Sequence, residues 1–282
     1  MNLSLSLSFL SNYCLVFLSL FSSLLLMVGC STKKSTDLGE FSGSPIDQNR
    51  LVNSVLSELQ FRYDLTNTLR MQMKVSIEEK GKKEEVRETL WYKRSRTGQD
   101  QLHIQAMGFY NQPRAVMLAN NTEFLLYLVN EQESIRAPLE DAVLQDIFGI
   151  DLRISDVKSS IFANPFLDRS TLSDFCIQPF ILSDDHLRLS CKTSSQHLVE
   201  EIMILNYTEE PIVRSWKIFD PRGELVQETH FSDYREVDGI LRPYRLLIKR
   251  PKEETKVEIT TIKPEIGGEI NDQKFDFERF SK

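Results

Sequence analysis

The hydrophobic pattern of this chain changes rhythm at well-separated points, and each change marks a different kind of element. From Leu15 to Cys30 the segment LVFLSLFSSLLLMVGC is an almost unbroken apolar run, and residues 1–30 contain no Asp, Glu, Lys or Arg. Residues 31–44, STKKSTDLGEFSGS, are polar, aperiodic and rich in Ser, Thr and Gly, which is the composition of a flexible tether. From Pro45 the spacing of Leu51, Val52, Val55, Leu56 and Leu59 predicts an amphipathic helix over 45–59. Its proline stands near the start, where the missing N–H has no helical partner to lose. The period then shortens to two. LRMQMKVSI sets Leu69, Met71, Met73, Val75 and Ile77 against Arg70, Gln72, Lys74 and Ser76, the alternation of a half-buried strand.

Further strand candidates are VRETLWYKR, QLHIQA, RAVMLAN, FLLYLV and SIRAP, and then, after residue 172, SDFCIQPFIL, HLRLSCK, LVEEIMILNY, IVRSWKIFD, ELVQETHFSDY, ILRPYRLLIKR and KVEITTI. Turn chemistry separates them, as in DPRG at 220–223 and Asp238-Gly239. The series is interrupted over 138–165. There Leu139, Val143, Leu144 and Ile147, then Ile154, Val157 and Ile161 recur at helical spacing, and two short helices are expected. With no alternating strand–helix–strand pattern, the expectation is a mainly β fold with α: a curved antiparallel half-barrel of about eleven strands lidded by short helices. One domain over 45–282 accommodates it.

Composition narrows the function. The charged residues all follow the apolar run, and 34 basic against 41 acidic residues leave a net charge of −7. Phosphate backbones need clustered Lys and Arg, so nucleic acid is excluded as a partner. The same balance opposes attraction to anionic headgroups, so any membrane contact has to be apolar or covalent. Catalysis finds no motif. His103, His186, His197 and His230 lie on separate strand candidates without ligand spacing, and the group Asp184, Asp185, His186 and Cys191 reads better as a polar turn than as a metal site. Neither an enzyme activity nor a cofactor is expected, and a monomer is. Of the four cysteines, Cys176 and Cys191 remain once Cys14 and Cys30 are set aside. If Ile181 faces His186 across a turn at 182–185, they lie opposite one another and could form a cross-strand disulfide; otherwise they are two small buried hydrophobes.

A curved sheet with an apolar face needs something to cover it. If the helices leave room, the face carrying Met71, Met73, Val75, Leu102, Ile104, Val116 and Leu118 becomes a cavity for an acyl chain. Methionines are frequent in the strand candidates (Met71, Met73, Met107, Met117 and Met203), and thioethers repack readily around flexible ligands or fill gaps in a core.

The ending LLLMVGC resembles the lipobox of bacterial lipoproteins, which implies a signal peptide over 1–29, a lipidated Cys30 and a tether over 30–44. An uncleaved apolar anchor over residues 3–29 is the alternative. The run of a helix, a strand series, TGQDQLHIQAMGFYNQP and LEDAVLQDIFGIDLRISDVKSSIFANP, closed by FSDYREVDGILRPYRLLIKRP, resembles the LolA/LolB superfamily of lipoprotein-localisation factors, LolB-like members in particular. The resemblance covers most of 45–277 in order and spacing, although LolB members carry a short Pro-Leu-Gly tip where this chain has AMGFYNQP. It implies an outer-membrane lipoprotein facing the periplasm, with lipid acyl chains or lipoprotein cargo as partners. It also implies a hairpin tip, here Met107, Phe109 and Tyr110, that touches the bilayer. Capping of the barrel mouth by these side chains is the competing expectation. From another class, the alternative function is a lipid-anchored scaffold whose core is filled.

Overall fold

The structure, a computed structural model, describes residues 44–95, 98–108, 112–140, 154–167, 176–193 and 195–280. Helix α1, Pro45–Leu65, begins where Ser44 accepts a hydrogen bond from the Asp47 N–H at 3.3 Å, with proline in the first turn. It runs past residue 59 because Tyr63 continues the stripe of Val52, Val55 and Leu59, all buried. Thr66 ends it, its hydroxyl donating to the Arg62 carbonyl at 3.0 Å.

Thirteen strands follow among the described residues, against the eleven or so expected. They are β1 (Thr68–Glu79), β2 (Lys82–Arg94), β3 (Asp100–Met107), β4 (Pro113–Ala119), β5 (Glu123–Leu128), β6 (Glu133–Pro138), β7 (Cys176–Ile181), β8 (His186–Lys192), β9 (Leu198–Leu205), β10 (Ile212–Phe219), β11 (Leu225–Val237), β12 (Ile240–Arg250) and β13 (Thr255–Ile266). Two hairpin loops consist of two residues at positive φ, Lys80-Gly81 and Asp238-Gly239, the tight turn whose twist suits paired strands. Gly239, at φ 81°, occupies the position where a side chain is strained.

All thirteen strands form one curved antiparallel sheet in the order β6-β5-β4-β3-β2-β1-β13-β12-β11-β10-β9-β8-β7. The two ends do not pair, so the sheet is a half-barrel. Each half is a simple meander, and the β1–β13 ladder, from Leu69 opposite Ile266 to Glu79 opposite Thr255, joins them. The two sheet edges, β6 and β7, are consecutive in sequence. The chain between them must therefore travel from one edge to the other, and helix α2 (Ile154–Phe162) lies on that connection. The first of the two helices expected over 138–165 falls outside the described residues.

The core is divided. Along β7–β12, Val52, Val55 and Leu59 of α1 pack onto Leu187, Leu189, Ile202, Ile204, Trp216, Phe231 and Leu246. Along β1–β5, Ile154 and Ile161 of α2 pack with Leu69, Met71, Met73, Leu90, Tyr92, Leu102 and Phe124. The outer face of β3–β5 is closed by the C-terminal tail, whose Phe277 covers Val116, Leu118 and Leu125.

Candidate functional site

Because side chains alternate across a strand, the ladders assign each residue of β1–β5 to one face. Three rows cross the inner face. Leu69, Tyr92, Leu102, Ala119 and Phe124 form one; Met71, Leu90, Ile104, Met117 and Leu126 the next; Met73, Glu88, Ala106, Ala115 and Leu128 the third. Every position but Glu88 is apolar or a tyrosine. Five of the seven residues expected to line a cavity, Met71, Met73, Val75, Leu102 and Ile104, belong to this face and to one packed cluster.

Val116 and Leu118 do not. Gln105 stands opposite Val116 and His103 opposite Leu118, so both point to the outer face, where Phe277 buries them. The reason is register: a bulge between Ala106 and Met107 sets Met117 and Ala119, not their neighbours, beside Ile104 and Leu102. Met117 and Ala119 are thus inner-face residues outside the seven expected from the sequence pattern.

Helix α2 is held over one end of this face by a polar network. Asp100, at the start of β3, accepts from the Tyr63 hydroxyl at 2.5 Å, the Tyr92 hydroxyl at 2.6 Å and the Lys158 ammonium of α2 at 2.6 Å. Burial alone would raise the Asp100 carboxyl, but those three donors hold it below the usual carboxylate range. Burial and the bond to Asp100 push both tyrosines up. At the other end of α2 the buried Arg242 donates to the Ile161 carbonyl at 2.7 Å, and burial brings its guanidinium down to about 10. Phe162 meets the edges of Tyr63 and Tyr92 at 4.9 and 4.8 Å between ring centres.

A pocket of about 490 Å3 lies between α2 and the sheet. Its lining includes Tyr92, Leu102, Ala119, Leu139 and Ile154, with Asp100, Asn121 and Lys158 adding polar groups. That volume suits a small-molecule or single-chain ligand. Leu102 and Tyr92 belong to both the pocket and the apolar rows. Clefts beside the tail, lined by Arg70, Trp91, Glu265 and Lys274, are charged and outside the inner face.

Glu88 is the exception on the inner face. It stands opposite Met73 on β1 and Ala106 on β3, with Val86 and Leu90 in phase along its own strand. Burial pushes its carboxyl up to about 7. The signal was present in VRETLWY, where Glu88 keeps step with Val86, Leu90 and Tyr92.

The cysteine expectation needs correction. Leu182 N–H donates to the His186 carbonyl at 2.9 Å, so the turn is one residue shorter than assumed. Ile181 faces Leu187, Ile177 faces Cys191, and Cys176 faces Lys192. The two cysteines are not opposed, and no cross-strand disulfide follows from this ladder. Cys191 is instead a buried member of the α1 cluster. Of the tip, Met107 is half-buried at the end of β3, opposite Arg87 and Pro113, while Phe109 and Tyr110 lie outside the described residues, as does Cys30. Among the described residues no group of three His, Cys, Asp or Glu could hold a metal. His186, Asp185 and Ser183 bond to each other in the polar turn.

A half-barrel of antiparallel strands, with helices packed on its inner face, is the LolA/LolB-type fold. Several solved structures share this fold. A DUF1329 family protein from Desulfovibrio piger superposes with a TM-score of 0.62 at 14% identity, covering 82% of this chain and 99% of that one. A putative outer membrane lipoprotein-sorting protein domain from Vibrio parahaemolyticus gives 0.58 at 11%, covering 80% and 98%. A LolA superfamily protein from Nitrosomonas europaea gives 0.54 at 11%, again covering 80% and 98%. No protein-family model and no curated protein matches the chain.

Proposed function

We propose that this protein binds acyl chains, of lipids or of lipoprotein cargo, on the inner face of β1–β5 beneath α2, and serves in lipid or lipoprotein transfer within the bacterial envelope. One observation carries the reading: the pocket under α2 is lined by Tyr92, Leu102 and Ala119 of the apolar inner face, whose next row is Met71, Leu90, Ile104, Met117 and Leu126. Binding there is non-enzymatic and needs no cofactor, because burial of methylenes supplies about 0.8 kcal/mol each. The fold shared with a lipoprotein-sorting domain supports it. In this reading residues 1–29 are the signal, Cys30 carries lipid, residues 30–44 are the tether and 45–282 the binding domain. The protein then works as a monomer on the periplasmic side of the outer membrane. Met107, Phe109 and Tyr110 are the membrane-contact tip.

The filled-core scaffold has one observation in its favour: α1 packs densely over the β7–β12 half. The two readings separate by a binding experiment. All described residues fall within one compact unit, Asp37–Lys282, and both inner clusters are built within it, so the chain from residue 31 onward retains the whole core. That chain is expected to bind a fluorescent fatty-acyl probe. Ala119→Trp, which places an indole in the pocket, is expected to weaken the probe about tenfold or more. Failure of the wild-type chain to bind any acyl probe would overturn the proposal and leave the scaffold.

A further inference from the structure

Several other acidic residues of this protein have partners. Asp100 has two tyrosines and a lysine, Glu200 accepts from the Trp216 indole at 3.0 Å, and Glu85 meets Lys74 at 2.7 Å. Glu88 makes no hydrogen bond or ion pair among the described residues, although it is half-buried in the apolar wall. A carboxylate so placed is expensive, and a chain that needed only grease at this position would carry Leu or Met there. Its neighbours toward β4 are small. Ala106 is opposite it on β3 and Ala115 is next along the row on β4, so the wall beside the carboxyl is built from methyl groups.

No cation of the sheet faces Glu88. From β1 it meets Met73, and from β3 it meets Ala106. The ionisable residues in phase with it on β2 are Lys82, Glu84 and Arg94, beyond Val86 on one side and beyond Leu90 and Tyr92 on the other. Arg94 is engaged with Asp64, at 3.2 Å, and with the Tyr63 ring. Among the described residues the sheet thus offers this carboxyl no donor, and a ligand that carries donors would satisfy it.

We infer that Glu88 is a headgroup-selecting residue of the groove, which takes amphiphiles carrying a protonated amine close to the acyl or alkyl chain. An ammonium group brings three N–H donors and the opposite charge, so it satisfies a buried carboxylate where a neutral hydroxyl does so partly and an anionic headgroup is repelled. The amine can belong to a lipid headgroup or to a basic residue next to a lipidated terminus; the chemistry at Glu88 is the same. This inference rests on the acyl-chain reading above, and its test separates the two.

The chain from residue 31 onward is titrated at about pH 8.5 with dodecylammonium, dodecanol and dodecyl sulfate, each below its micelle concentration. Dodecylammonium is expected to bind about tenfold tighter than dodecanol, and dodecyl sulfate more weakly than either. Glu88→Gln keeps the shape and removes the charge, so it is expected to bring ammonium and alcohol affinities within about twofold of one another. Lowering the pH to about 5.5, where the carboxyl carries its proton, is expected to do the same in the wild type. If dodecanol binds but dodecylammonium has no advantage, or keeps its advantage in Glu88→Gln, the role of Glu88 is overturned and the acyl-binding reading survives. If none of the three probes binds, both fall. Comparing a dodecyl-lysine amide with a short-chain phosphatidylethanolamine then distinguishes a peptide amine from a lipid one.

Discussion

Two side chains with displaced ionisation lie on opposite faces of the same few strands, and they impose opposite pH dependences on stability. Glu88 has a folded carboxyl raised by burial to about 7 from an ordinary 4.5. Its contribution is fully present below 4.5 and is lost as pH rises through 7, when the wall must hold a charge. Relative to wild type, Glu88→Leu is therefore expected to gain about 2–3 kcal/mol in urea unfolding at about pH 8.5, with the gain shrinking as the pH falls toward 4.5. His103 behaves in the reverse sense. It is buried beneath the tail, its Nδ1 2.7 Å from the Lys274 carbonyl, and burial, reinforced by the charges of Lys274 and Arg279, brings the imidazole down to about 4 from 6.5. Its contribution is complete above 6.5 and disappears as pH falls through 4. Amide exchange in residues 270–280 is expected to accelerate between those values, because protonation of the ring places a second N–H where Nε2 has no acceptor. A flat exchange profile over that range would show that His103 does not couple the tail to pH.

At the scale of elements, the weak partner is α2. Nine residues cannot hold a helix alone, so its position depends on what it touches. The apolar contacts of Ile154 and Ile161 press it to the wall, and Lys158–Asp100 and Arg242–Ile161 fix it along its length. Asp100→Asn removes the charge that Lys158 and both tyrosines share. We expect about 2–4 kcal/mol of destabilisation, with amide exchange in α2 rising more than in α1. Equal acceleration in both helices would mean that Asp100 supports the sheet rather than the lid. In the β11–β12 hairpin, Gly239→Ala is expected to cost about 1 kcal/mol from backbone strain alone, since no neighbouring atom obstructs an added methyl.

For the molecule as a whole, the two faces of the β1–β6 half do different work. The inner face is the one proposed to take an acyl chain, and the outer face is sealed by the protein's own tail through Phe277 on Val116, Leu118 and Leu125, Arg136 bonding Glu278 at 2.8 Å, and Lys93 paired with Asp272. Truncation after Gly268 is expected to lower stability by several kcal/mol, about 2 for each buried aromatic lost, while acyl-probe affinity per folded molecule stays within about twofold. Chain length gives the complementary test. Lengthening an acyl probe by four methylenes is expected to tighten binding by about 3 kcal/mol, until the wall is full. An affinity indifferent to length would place the probe outside the groove.

What the sequence determined by itself is the periodic part of this protein. The stripe of α1, the faultless alternation of β1, the Asp238-Gly239 turn and the succession of strand segments with one helical interruption are local patterns, and local patterns survive without knowledge of neighbours. Together they were enough for a lidded half-barrel, and for the inward face of β1 and β3. Pairing was decided by tertiary structure. Side chains repeat every two residues, so one bulge at Ala106/Met107 exchanged Val116 and Leu118 for Met117 and Ala119. One residue fewer in the turn at 183–185 likewise moved Cys176 from Cys191 to Lys192. The Asp100 network was equally illegible, since Tyr63, Tyr92, Asp100 and Lys158 come from four elements, and Lys158 lies on the connection that crosses from one sheet edge to the other. Glu88 was visible as a charge in step with apolar neighbours, but that its neighbours on β1 and β3 are a methionine and an alanine, rather than a lysine, is a fact of register alone.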